Sequence, residues 1–84
     1  MPSSRFYRVT YQEAQALIVL LQAVAKEAPY KEVKAAAKRL LNQLQYVRSD
    51  IDYVAGGYQL ILNKEDDVNL LNDLAEALEI HIKD

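Results

Sequence analysis

Val33, Ala37, Leu40, Leu44, Val47, Ile51 and Val54 recur along this chain at alternating spacings of four and three residues. Apolar side chains repeated in that way over three heptads mark a helix with one buried stripe. The stripe opens just after Pro29 and closes just before Gly56-Gly57, a proline where helices start and a glycine pair where they stop. The spacing predicts one long helix over residues 30–55. A competing reading ends this helix near Arg48, takes Ser49-Asp50 as a turn, and folds residues 51–54 against Tyr58–Leu62 as a hairpin closed by the glycines. The β-branched and aromatic content of 51–54 speaks for the hairpin, whereas the unbroken register of Ile51 and Val54 with Val33 favours the long helix.

The flanking segments arrange themselves around that element. Thr10-Tyr11-Gln12-Glu13 has the form of a capping box, in which the threonine hydroxyl accepts from the amide three residues on and the glutamate reaches back. A helix over residues 11–28 follows, with Ala14, Leu17, Leu21, Val24 and Ala28 as its stripe. Ile18, Val19, Leu20, Ala23 and Ala25 widen its apolar surface almost to the full circumference, so it demands cover on several sides. Only Glu27, Ala28 and Pro29 separate the two helices, which implies an antiparallel helical hairpin.

Beyond the glycines, Asn63 is the expected N-cap of a third helix over about 65–78, with Glu65, Asp66 and Asp67 placed to complement the positive helix end. Val68, Leu71, Ala75 and Leu78 form its stripe, with Leu70 and Leu74 alongside. Short extended or β segments are expected near 5–9, 58–62 and 79–83. Glu79-Ile80-His81-Ile82-Lys83 alternates as a strand that can pair with 58–62 does, while Ile82 also continues the three/four spacing of the third helix, so helix is the alternative for this end. The fold class is mostly α, with α+β as its nearest alternative, in a single domain spanning 1–84.

At 84 residues the chain can assemble only a modest core, and association of copies is a natural way to enlarge it. Leu17, Leu20, Leu21 and Leu44 are the expected side chains of a homodimer interface. The absence of cysteine excludes disulfides, a thiolate nucleophile and cysteine-ligated zinc. The first residues lack the apolar core of a signal peptide, and the longest apolar run, around residues 16–25, is too short to cross a bilayer. A cytoplasmic location without membrane attachment is the expectation.

Chemistry is hard to find in the residues. His81 is the single histidine, the three serines lack a nucleophile-elbow context, and Gly56-Gly57 carries none of the further residues of a phosphate loop. Asp50 and Asp52 lack the rest of a calcium loop, and the adjacent Glu65, Asp66 and Asp67 fan around a helix instead of converging. A non-enzymatic protein with no cofactor and no metal is expected.

Charge supplies the remaining signal. The chain is nearly balanced at -2, yet residues 30–48 hold five basic side chains against one acidic, while residues 49–84 hold nine acidic against two basic. On the second helix, Lys31, Lys34 and Lys38 share one face, and Arg39, Tyr46 and Tyr53 share the other flank. Rigid aromatics beside an arginine are typical interface anchors. The leading expectation is therefore a protein–protein interaction module, a small regulator or inhibitor acting as a homo-oligomer, that binds through Arg39, Tyr46, Tyr53 and Lys38. The alternative is a polyanion binder in which Lys31, Lys34 and Lys38, flanked by Tyr30 and Arg48, take a nucleotide-like ligand or nucleic acid.

Overall fold

The computed structural model describes residues 5–44 and 58–79. In chain order they form strand β1 (Arg5–Val9), helix α1 (Tyr11–Glu27), helix α2 (Lys31–Leu44), strand β2 (Tyr58–Leu62) and helix α3 (Glu65–Ala77). The fold is mostly helical, with α1 and α2 packed as an antiparallel hairpin and a two-stranded antiparallel sheet beside it.

Local chemistry sets the helix ends. The Thr10 hydroxyl accepts from the Glu13 amide at 3.1 Å while the Glu13 carboxylate accepts from the Thr10 amide at 2.8 Å, which completes the capping box at the start of α1. At the other end Ala28 is extended, with φ -60 and ψ 140, as a residue preceding proline must be. Helix α2 therefore restarts at Lys31. Its continuation past Leu44, on which the long-helix and hairpin readings differ, lies outside the described residues.

Two expectations at the C-terminal third are corrected. The cap of α3 falls on Lys64, not Asn63, and the Lys64 side chain makes no capping bond; the carboxylates of the first turn offset the helix dipole. Glu79 adopts a left-handed φ of 57 directly after Leu78, so the chain turns at the residue where a terminal strand was expected to begin. The rest of 79–83 lies outside the described residues. Strand β2 pairs with β1 in the register Arg5 with Leu62, Phe6 with Ile61, Tyr7 with Leu60, Arg8 with Gln59 and Val9 with Tyr58.

Strand alternation then divides the sheet. Tyr7, Val9, Leu60 and Leu62 turn inward and are buried, while Phe6, Arg8, Gln59 and Ile61 turn outward. The inward set meets Ala14, Leu17 and Leu21 of α1, Ala37, Leu40 and Leu44 of α2, and Val68 and Leu71 of α3 in one continuous core.

That core revises the expected homodimer interface. Leu17 and Leu21 are fully buried and Leu44 nearly so within one copy, and Leu20 is half-buried on the side of α1. The apolar surface of Leu17, Leu21 and Leu44 is satisfied by the chain's own sheet and helices, so these three are core residues and not a surface for a second copy, whereas Leu20 is not part of the enclosed core. The broad apolar girdle of α1 is covered only in part, and Val19 on its outer side remains 66% exposed.

Leu40→Ala should lower the unfolding free energy by about 2–5 kcal/mol, since the side chain is fully enclosed and its removal leaves a cavity. Val19→Ala should change it by less than about 0.5 kcal/mol. Urea titration followed by circular dichroism compares the two, and equal losses would contradict this placement of the core.

Candidate functional site

Helix α2 is the middle element, and its two flanks do different work. On one flank Arg39 and Gln43 stand one turn apart and face the C-terminal strand and helix. The Arg39 guanidinium donates from Nε to both carboxylate oxygens of Asp67 at 3.0 Å and from Nη2 to Oδ1 at 2.7 Å. Such a fork fixes orientation as well as distance. Asp67 is the one buried charged side chain among the described residues, 4% exposed, and this pairing is what makes its burial tolerable. The hydrogen bonds to Asp67 raise the Arg39 pKa above its ordinary value, outweighing partial desolvation, which lowers it. For a raised pKa the stabilisation is fully present below the ordinary guanidinium value and is lost only as pH rises beyond it. No physiological pH change releases the pair from the arginine side.

Gln43 acts on the neighbouring strand. Its Nε2 donates to the Ile61 carbonyl at 2.8 Å and its Oε1 accepts from the Ile61 amide at 2.9 Å. A single carboxamide thus takes the place of a third strand along the edge of β2 that faces away from β1.

The other flank faces α1 across an open groove of about 390 Å3, lined by Ile18, Gln22, Lys38, Leu41 and Asn42. Ile18 and Leu41 are half-buried and rest on the core, giving the groove an apolar floor, while Gln22, Lys38 and Asn42 are exposed along its rim. Lys31 is exposed and Lys34 half-buried on the same side of α2, and Tyr30, just before the helix, is 66% exposed.

The sequence-based site therefore divides. Arg39 is corrected from a partner-binding anchor to an internal clasp, because its donors are turned onto Asp67. Lys38 is exposed at the groove, apart from Arg39. Tyr46, Tyr53 and Arg48 lie outside the described residues. Asp67 and Gln43 were not among the expected site residues. For Asp67 a signal existed, because it stands four residues before Leu71 and eight before Ala75, on the buried stripe. Nothing in the sequence marks Gln43.

Among the described residues, no three metal-ligating side chains converge. No described helix is long and apolar enough to cross a membrane. No protein-family model matches this sequence, and no curated protein or solved structure is significantly similar to it.

Arg39→Ala should destabilise the fold by about 1–3 kcal/mol, less than a fully buried pair because the arginine side chain is 37% exposed and screened. Asp67→Ala should recover much of that loss when combined with it, since no uncompensated charge then remains buried. Additive losses in this double-mutant cycle would show that the two side chains do not act together.

Proposed function

We propose that this chain is a non-enzymatic protein-binding module, a small regulator or inhibitor that occupies another protein's surface. The observation carrying this reading is the α1–α2 groove, in which an apolar floor at Ile18 and Leu41 lies beside the exposed ammonium group of Lys38. A partner segment that fits it supplies an apolar side chain to the floor and a carboxylate to Lys38. Such a combination gives both burial and orientation. Arg39 contributes indirectly, by holding α3 on the flank opposite the groove.

The polyanion reading keeps second place on a specific observation. Lys31, Lys34 and Lys38 lie on the flank away from Asp67, so acidic α3 docks on the other side of α2 from the lysines. Exposed Tyr30 offers a stacking face at the same end as Lys31. The acidic balance of the whole chain disfavours an extended duplex more than a small anion.

The deciding experiment is affinity capture from the native host, comparing the wild-type chain with a folded Gln22→Arg/Lys38→Glu variant. Both substitutions are on exposed rim positions, so stability should change by less than about 1 kcal/mol. Loss of a protein partner from the variant supports the groove, and identical recovery from both contradicts it. Binding instead to a nucleotide or single-stranded oligonucleotide, weakening steeply as salt rises from roughly 50 to 200 mM, would establish the second reading.

A further inference from the structure

Among the described residues the two-stranded sheet has one edge closed and one edge without a backbone partner, and Gln43 reveals which is which. Because the Ile61 amide and carbonyl both bond to the Gln43 side chain, both point away from β1. Ile61 and its partner Phe6 are therefore a pair that exchanges no ladder hydrogen bonds. The amide and carbonyl of Phe6 must then point away from β2, to the outer edge of β1. By the alternation of an antiparallel ladder, those of Arg8 do the same. No backbone partner outside the strand pair reaches either residue among the described residues. Their side chains share the outward face of the sheet with Ile61, where Phe6 is 46% and Ile61 47% exposed.

We propose that this edge pairs with the same edge of a second copy, joining two sheets into one four-stranded antiparallel sheet about a two-fold axis at Tyr7. The edge is self-complementary in that register alone. An axis at Tyr7 sets Phe6 opposite the second copy's Arg8 and Arg8 opposite its Phe6, so every outward backbone group of the strand finds a partner. It also lays each guanidinium beside a phenyl ring on the open face of the sheet, a favourable cation–π arrangement. An axis at Arg8 would oppose two like charges, and an axis at Phe6 would leave the Arg8 groups outside the five-residue strand pairing. A sheet of two short strands is marginal alone and gains most from such extension. This inference is independent of the groove and of what binds there.

Sedimentation of the full chain, with circular dichroism as a control for folding, provides the test. The wild-type chain should run at twice 9.6 kDa at high micromolar concentration. Phe6→Arg places like charges opposite each other at both symmetric pairs and should weaken dimerisation by about tenfold or more. Phe6→Glu places a carboxylate opposite Arg8 and should retain the dimer. A dimer indifferent to Phe6→Arg, or weakened equally by both variants, would overturn this register. A wild-type monomer would overturn the pairing itself, as would an edge occupied only by a strand of another protein. Should either variant unfold, amide hydrogen exchange of the wild-type chain decides. The Phe6 and Arg8 amides should gain protection as concentration rises, and protection independent of concentration would contradict the proposal.

Discussion

The C-terminal strand and helix are fixed to the helical hairpin along one flank of α2, through a guanidinium that grips a buried carboxylate and a carboxamide that stands in for a strand. Apolar contact alone would let β2 and α3 slide against the hairpin, because burial has no direction. The fork from Arg39 to Asp67 and the paired bonds from Gln43 to Ile61 supply the direction. They also decide the surface of the molecule. With one flank of α2 committed to holding α3 and β2, the groove beside α1 and the outer edge of β1 lie on other parts of the described surface.

These contacts are unequal in kind. The carboxylate of Asp67 is enclosed, so loss of its partner leaves a charge that water cannot reach, and the pair matters more for specifying one arrangement than for net stability. The Gln43 bonds are more exposed and each contributes modestly. Their larger effect is to close one edge of the sheet, which leaves β1 as the edge where pairing can continue.

Most of the elements could be read from local chemistry, because caps and periodicity act over a few residues. Thr10 and Glu13 announced the start of α1, Pro29 the break before α2, and Leu71 with Ala75 the buried side of α3. The pairing of β2 with β1 was not legible, since the alternation of Arg5–Val9 is no stronger than that of other short segments and nothing local names its partner. The antiparallel hairpin brings the two strands together by returning the chain toward the end at which β1 entered. The leucines of α1 were misread for a related reason. A helix apolar on most sides signals that cover is needed, but not whether it comes from the same chain or another, and here the sheet and α2 provide it for Leu17 and Leu21. Arg39 looked like a surface anchor because its partner lies dozens of residues away, on a helix whose carboxylates had a sufficient local explanation in the helix dipole.

The clasp on α2 can be observed directly by nitrogen-edited NMR of the Arg39 side chain at neutral pH. If the fork to Asp67 positions α3, the Arg39 Nε–H gives a sharp, displaced resonance that exchanges slowly with water and shows nuclear Overhauser contacts to α3. A resonance at the position of a free arginine, exchanging rapidly and without such contacts, would mean that α3 is held in some other way and would contradict the account.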